Sequence, residues 1–548
     1  MARSVRRKKT EMLGIRTAIV YPGPLDEGLS SLAVHGLAQI LDAHPDASWD
    51  LVFAHPKAGA PRGMRSGLGL GQFDLLAFSL SFEEQFTLLP WSLKQAGIPT
   101  RWQARGDRHP LILAGGVAMR LNPSPVLPFL DAVVCGDAEQ TLDAVIDALT
   151  RTYGASRREV LDEMGAVPGV GLRPFAGSLR ARFRVPEQPV SQMAGLTGAS
   201  FVDMHLVETG RGCPVGCRFC ALSFSRRPPI FFSPAQIIEA AGPGIAAGKR
   251  IGLVGASLGR HPDLLEIVQG LKEVGADLSP ASLHPTVLCG DAGQALLDQM
   301  QRAKQRTITL APEAGSERLR QVINKPCLDE ELIEAVRRLA EAGCIHLKLY
   351  LMFGLPTETD EDLQATVKQV AACREALLAV HRGRGGTGRL SISLNPFVPK
   401  PHTPLALAPM PELAELKRRS KMLMSGMRRL GGVWVGGFSP RQARLQAMLD
   451  RAGEEAADLL EAAEGRWPPP MPLLRKMWPS AEATLAPDWP GSDSPPWSRV
   501  HLGIDPKFLI EERARMERGQ LTEACGVEVC DDCRACAGMS RSGNLPPH

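Results

Sequence analysis

The chain has 548 residues, 44% of them hydrophobic and 22% charged, with 63 Lys and Arg against 59 Asp and Glu for a formal net charge of +4. That length exceeds one ordinary core and predicts two or three domains, and the composition excludes a mainly disordered or fibrous chain. The near balance of charge gives no clear nucleic-acid-binding signal, no apolar run reaches the roughly 18 residues of a membrane helix, and the basic start MARSVRRKKTEMLG leads into no signal-peptide core, which together predict a cytoplasmic protein with no membrane partner.

Residues 1–14 read as a basic, disordered N-terminus. From Arg16 onward short apolar runs (TAIVY, WDLVFA, FDLLAFSLS, LILAGG, DAVVCGD) alternate with helical patterns such as Leu29 to Ala43. Strand and helix in regular alternation predict an α/β fold, here an open, doubly wound, Rossmann-like domain over residues 15–160. Such sheets take ligands at the carboxyl ends of their strands, which nominates Pro22 to Gly28, Ser79 to Glu83 and Gly115 to Asn122. No GxGxxG phosphate loop follows the first strand. Residues 161–199 are less regular and read as a linker.

Alternation resumes over residues 200–405 with FVDMHLVETG, RIGLVGAS, DLSPASL, RTITLAPE, HLKLYLMFGLP and RLSISLNPF. Six strand and helix units predict a partial (β/α)6 barrel of the TIM type, with its chemistry on the loops at the C-terminal strand ends. Residues 406–520 read as helical and irregular, with helices over Leu413 to Leu430 and Pro440 to Ala463 before a Pro- and Trp-rich stretch. Residues 521–548 read as a Cys-rich, metal-binding tail with a disordered end.

Seven of the twelve cysteines fall in two tight clusters, a spacing that suits metal rather than a disulfide scaffold. ETGRGCPVGCRFCALSF places Cys213, Cys217 and Cys220 in a CxxxCxxC pattern just after the first barrel strand. Zinc asks for a fourth protein ligand and usually takes CxxC pairs, whereas a 4Fe-4S cubane held by three cysteines leaves one iron open to a small molecule. LTEACGVEVCDDCRACAG sets Cys525, Cys530, Cys533 and Cys536 in a four-thiol set, which a second Fe-S cluster and a zinc ion both satisfy. Ahead of it, Ile504, Phe508, Leu509 and Ile510 are the apolar residues by which a helix would dock onto the barrel.

The CxxxCxxC triplet, with Phe219 just before its last cysteine at the first strand of a (β/α) barrel, resembles the radical S-adenosylmethionine (radical SAM) superfamily. The resemblance continues through LVGASLGRHPDL, where Gly255, Ala256 and Ser257 stand in the place of the glycine-rich strand that meets the methionine amino group. LAPEAGSERLRQVINK resembles the segment that approaches ribose and carboxylate, which nominates Glu313, Ser316, Arg318 and Lys325. LKLYLMFGLPTETDED resembles the segment beside adenine, which nominates Met352, Leu355 and Pro356. The resemblance implies a 4Fe-4S cluster, S-adenosyl-L-methionine, its reductive cleavage to a 5'-deoxyadenosyl radical, and a reductant such as flavodoxin or ferredoxin.

A doubly wound domain ahead of such a barrel is similar to the class carrying a cobalamin-binding domain, in a largely uncharacterised fused group. That implies cobalamin as a further cofactor and, with it, methyl transfer to an unactivated carbon by a transferase. The DxHxxG motif that supplies an axial histidine is missing, and His35, His44 and His55 lie in no such pattern. Two alternatives stand beside this reading: cobalamin-independent thiolation, isomerisation or oxidation of a macromolecule, and a non-catalytic Fe-S module that senses redox state or binds partners. The substrate and the residues that act on it are not legible.

Overall fold

The computed structural model describes residues 14–174, 177–193, 196, 198–280, 282–383, 386–486, 494–526 and 532–536. The basic N-terminus up to residue 13, Cys530 and the tail beyond 536 lie outside the described residues.

The first domain is a six-stranded sheet of β1 (Ile15–Tyr21), β2 (Ala47–Phe53), β3 (Leu75–Ser79), β4 (Leu111–Gly115), β5 (Ala132–Val134) and β6 (Val170–Leu172). Its spatial order is β2-β1-β3-β4-β5-β6, the first five parallel and β6 antiparallel to β5. Order 2-1-3-4-5 is the flavodoxin-like form of the doubly wound sheet. Helices α1 (Leu32–Ala43), α2 (Leu88–Gln95), α3 (Val117–Leu121), α4 (Thr141–Arg151) and α5 (Arg157–Gly165) follow the strands. Alternate residues of β1 enter different cores, Ile15, Ile19 and Tyr21 one and Ala18 and Val20 the other. Both faces are therefore covered, which is why these strands read as continuous apolar runs.

The second domain is an arc of parallel strands: β7 (Met204–Glu208), β8 (Arg250–Val254), β9 (Ser282–Leu283), β10 (Thr307–Glu313), β11 (His346–Phe353), β12 (Arg389–Pro396) and β13 (Val433–Gly436). β7 pairs with β8, an Ile251 to Leu278 bridge carries the arc onward, and β9 to β13 form one sheet. Helices α6 (Pro234–Ala246), α7 (Leu264–Glu273), α8 (Asp291–Arg302), α9 (Asp329–Glu341) and α10 (Asp360–Arg382) cross between the strands. Then come α11 (Leu413–Arg428), α12 (Pro440–Arg451) and α13 (Pro506–Glu517).

Four expectations change. Residues 161–199 are more than a linker, because they complete α5, supply β6 and contribute Leu179–Arg180, which pairs with Val500–His501. Strands of two or three residues carry no readable period. The arc gains a seventh strand, β13, inside the region read as helical, where VWVG is bracketed by glycines. The expected strand at DLSPASL shortens to Ser282–Leu283, since Pro280 has no N–H for a ladder. The helix expected from Pro440 to Ala463 breaks at Ala452, whose extended ψ of 151° ends α12.

The two domains and the C-terminal region meet at buried charge. The Lys400 ammonium lies 2.8 Å from Glu83 of the first domain and 2.9 Å from Asp450 of α12, and the Gln446 amide donates to Glu83 at 2.7 Å. Nearby, the Asn122 amide donates to the carbonyls of Asp450 and Ala452. No described helix is long and apolar enough to cross a membrane.

Candidate functional site at the cysteine loop and the interdomain cavity

β7 ends at Glu208, and the chain turns through Gly212, at φ 75°, into the cysteine loop. A Cβ on Gly212 would meet the Arg226 carbonyl at 2.6 Å, so the turn needs glycine. Cys213 and Cys217 are buried, and Cys220 is partly so. The Cys220 N–H donates to the Cys217 carbonyl, and the Asn324 amide donates to the carbonyls of Val215 and Gly216. Burial pushes the Cys217 and Cys220 thiols up, and the neighbouring thiols push each further. Three soft sulfur donors on one loop, two of them buried, are the donor set of a cluster held by three thiolates.

Beside the loop, Lys325 lies 2.9 Å from Glu313, which ends β10 at a break in register. Burial acts to lower the Lys325 ammonium, but Glu313 and the thiols outweigh it and hold it above the ordinary lysine value. Glu313 takes φ 67°, a left-handed conformation that costs a side chain about 1–2 kcal/mol. Strain of this kind concentrates at functional sites.

The remaining nominated residues divide. Phe219 and Met352 pack on the cluster that holds Leu355, Ile323, Phe397 and Met516, an apolar wall next to the cysteines. Pro356 follows in the same turn, half-buried. Gly255 and Ala256 line the cavity described below, and Ser257 caps a short helical turn behind them. Ser316 caps the helix Glu317–Val322 and donates to Asp362 at 2.7 Å. The Arg318 guanidinium is paired with the same Asp362 and donates to the Thr357 carbonyl at 2.7 Å. Ser316 and Arg318 therefore tie this segment to the start of α10.

A cavity of about 510 Å³ lies between the carboxyl ends of the two sheets, with a mostly apolar lining. The first domain contributes Ser79, Gly115, Gly116, residues 136–139 and the Leu32, Gly36 and Leu37 face of α1. The barrel contributes Glu208, residues 210–212, Leu222 and residues 254–256, so the cavity wall runs directly into the cysteine loop. Gly116 sits at φ 108°, where a Cβ would meet the Leu80 carbonyl at 2.3 Å. The nominated segments at Ser79 and Gly115 reach the cavity, whereas Pro22 to Gly28 does not line it.

Charge gathers on one side of this cavity. Arg211 bridges Glu139 and Glu208, each at 2.7 Å, and lies 3.6 Å from Asp137. Burial acts to raise the Glu139 carboxyl, but Arg211 outweighs it and holds it below its ordinary value. Arg226 donates to the carbonyls of Pro228 and Arg184 and pairs with Asp137 at 3.4 Å.

No His, Cys, Met, Lys or Tyr is among the described lining residues. The four histidines of the first domain are spent on scaffold, His109 accepting from the Gly106 N–H. His35 contacts the Leu29 carbonyl through Nε2 and accepts from the Met193 N–H, His44 faces Asp147, and His55 accepts from Lys57.

Sequence reading missed the anchoring of the C-terminal segment. Arg218, between the second and third cysteines, is fully buried and lies 3.4 Å from Glu512 of α13. It also donates to the carbonyls of Val322 and Gln520 at 2.9 and 2.6 Å. Thr522 donates to Glu512 at 2.8 Å and exchanges backbone bonds with the Asn324 amide. The Cys525 N–H reaches the Pro214 carbonyl, and the Asp505 N–H reaches the Cys533 carbonyl at 3.0 Å. α13 thus docks through Glu512 and Met516, while Ile510, expected at the contact, is 69% exposed. Cys533 and Cys536 are buried, although no three His, Cys, Asp or Glu side chains converge on a single-ion site among the described residues.

Two family models match this chain: one for the N-terminal region of radical SAM proteins over residues 56–171, and one for the radical SAM superfamily over residues 207–370. An uncharacterised protein of Methanocaldococcus jannaschii, MJ0966, is 27% identical over 392 residues, 70% of this chain and 78% of its own. A protein of Pyrococcus horikoshii named as an uncharacterised methyltransferase, PH0819, is 26% identical over 274 residues, 48% of this chain and 58% of its own. Among solved structures, the apo form of the cobalamin-dependent S-adenosylmethionine radical enzyme OxsB aligns over 96% of this chain and 82% of its own, with 14% identity and a TM-score of 0.48. OxsB with aqua-cobalamin and S-adenosylmethionine bound aligns over 96% and 83%, with 13% identity and a TM-score of 0.47.

Proposed function

The chain belongs to the radical S-adenosylmethionine superfamily, and from that premise we propose that it is a methyltransferase whose interdomain cavity seats cobalamin beside the cysteine loop. When bound, a 4Fe-4S cluster with S-adenosylmethionine supplies one-electron cleavage of a sulfonium bond, and cobalamin supplies a transferable methyl group. Cys213, Cys217 and Cys220 would hold the cluster. Lys325 and Glu313 would place an ion pair at its edge, and the small Gly255 and Ala256 would let the cofactor lie close to backbone. Phe219, Met352 and Leu355 would keep water from that side.

One observation carries the reading: a single cavity is walled by the strand ends of both domains and runs from Gly115 and Gly116 to Gly212, next to Cys213. Small residues at those strand ends let a large flat ligand lie against backbone. The bare backbone at Gly115 and Gly116 and the apolar Leu32, Leu37 and Val254 would hold such a ligand by contact. The electron comes from a flavodoxin or ferredoxin in this scheme, and a cytoplasmic setting suits a chain whose scattered cysteines Cys135, Cys289, Cys327, Cys344 and Cys373 form no disulfide. A second metal, iron-sulfur or zinc, at the four-thiol set Cys525, Cys530, Cys533 and Cys536 belongs to the same reading, supported by the burial of Cys533 and Cys536 in a segment of few apolar residues.

The test is corrinoid retention. Anaerobically reconstituted protein incubated with hydroxocobalamin and passed through gel filtration should carry close to one corrinoid per chain. A clean wash-out from folded protein would remove cobalamin and favour cobalamin-independent radical modification.

A further inference from the structure

Arg120 lies on α3, directly behind the Gly115 and Gly116 strand end, and lines the interdomain cavity. Its Nε is sealed from solvent without an acceptor, and its guanidinium forms no hydrogen bond to any described residue. The Phe183 ring lies 5.9 Å from it and 5.7 Å from Arg226. Its carboxylate neighbour, Asp137, already takes Arg226 at 3.4 Å and the Arg184 N–H at 3.1 Å, with Arg211 at 3.6 Å. Glu139 and Glu208 are bound by Arg211. The carboxylates of this cavity are therefore committed to the other two arginines.

Burial lowers the Arg120 guanidinium from its usual value, yet arginine stays charged in proteins. A half-buried, charged guanidinium whose sealed Nε has no acceptor runs against the rule that buried polar atoms are satisfied, and it lines an open cavity. We propose that Arg120 anchors an anionic oxygen group, a phosphate or a carboxylate, on the ligand of this cavity. The planar fork matches two oxygens of either group. The proposal rests on reading the cavity as a ligand site and adds the charge of what enters it. Two sources supply such a group: the phosphodiester in the nucleotide tail of cobalamin, or an acidic group of the substrate.

The test uses the full-length protein and the variants Arg120→Gln and Arg120→Lys. In thermal melts, inorganic pyrophosphate should raise the Tm of the wild type and of Arg120→Lys but not of Arg120→Gln. An equal pyrophosphate shift in the wild type and Arg120→Gln overturns the proposal, whatever the ligand-free Tm of the variant. Given that anion-dependent difference, corrinoid titrations assign the source. Cobalamin binding weakened about tenfold by Arg120→Gln, with binding of cobinamide, which lacks the phosphate, unchanged, assigns the anion to the cofactor tail. Unchanged binding of both corrinoids assigns it to the substrate. Protein that binds neither corrinoid yet keeps the Arg120-dependent pyrophosphate shift retains the anchor and loses the cobalamin reading.

Discussion

The backbone N–H of Cys525 donates to the carbonyl of Pro214 at 2.7 Å, which sets the C-terminal cysteine segment on the residue that follows Cys213. The contact is held from behind by the buried Arg218 and Glu512 pair, so the loop that carries the first cysteines and the tail that carries the second set share one support.

Breaking that support should be costly. Arg218→Met leaves the buried Glu512 with Arg515 alone, at 3.2 Å, takes the donor from the Val322 and Gln520 carbonyls, and is expected to destabilise the protein by about 1–3 kcal/mol. The double variant Arg218→Met/Glu512→Leu removes both charges and should recover part of that loss. Urea unfolding of the three proteins decides it, and equal midpoints for the single variant and the wild type would deny the pair its role.

The Lys400 cluster makes a second prediction. Burial acts to raise Glu83, but Lys400 outweighs it and holds Glu83 at about 2, while burial and the facing Glu83 hold Asp450 well above the usual carboxyl value. Glu83 therefore contributes stability that is present above its ordinary value near pH 4.5 and is lost as pH falls toward 2. Lys400→Met removes the cation between two carboxyls. Its Tm should lie below that of the wild type, and the deficit should widen as pH rises from 5 to 8 and the carboxyls are forced to ionise; a pH-independent deficit would contradict this account.

Glu358 carries the opposite sign. It accepts from the Gly354 N–H and from Arg419, yet burial pushes its carboxyl up to about 7. The folded state then binds a proton more tightly than the unfolded chain. Stability from this group is fully present below about pH 4.5 and is lost as pH rises to about 7, by up to roughly 3 kcal/mol. Glu358→Gln should flatten that part of the stability profile, and a variant profile parallel to the wild type would show the carboxyl already ionised at pH 5.

Arg318 separates scaffold from cofactor contact. With its guanidinium engaged by Asp362 and Thr357, Arg318→Ala is expected to lower stability by about 1 kcal/mol. S-adenosylmethionine affinity, measured by equilibrium dialysis on reconstituted protein, should change less than about threefold. A tenfold loss of affinity with unchanged stability would return Arg318 to the cofactor.

The sequence made the cysteine loop and most strands of both domains legible because each is local: a triplet within eight residues, and apolar runs with a period of their own. The β6 and β13 strands escaped because three or four residues hold no period, and α12 was overextended because Ala452 is a good helix former at a break imposed by packing. Arg218 and Arg120 stand inside segments that drew notice for other reasons. Their partners, or the lack of them, lie far along the chain, Glu512 being 294 residues from Arg218, and no local pattern announces such a contact. Ser316 and Arg318 show the converse, since a segment read for its ligand contacts also serves as the cap and clasp of a helix.

The central claim is radical chemistry at the Cys213, Cys217 and Cys220 loop, and its most direct test is 5'-deoxyadenosine. Anaerobically reconstituted, dithionite-reduced protein given S-adenosylmethionine should release 5'-deoxyadenosine and methionine, and the triple variant Cys213→Ala/Cys217→Ala/Cys220→Ala, folded by circular dichroism, should release none. Equal product from the triple variant, or none from fully reconstituted wild type, would contradict the account.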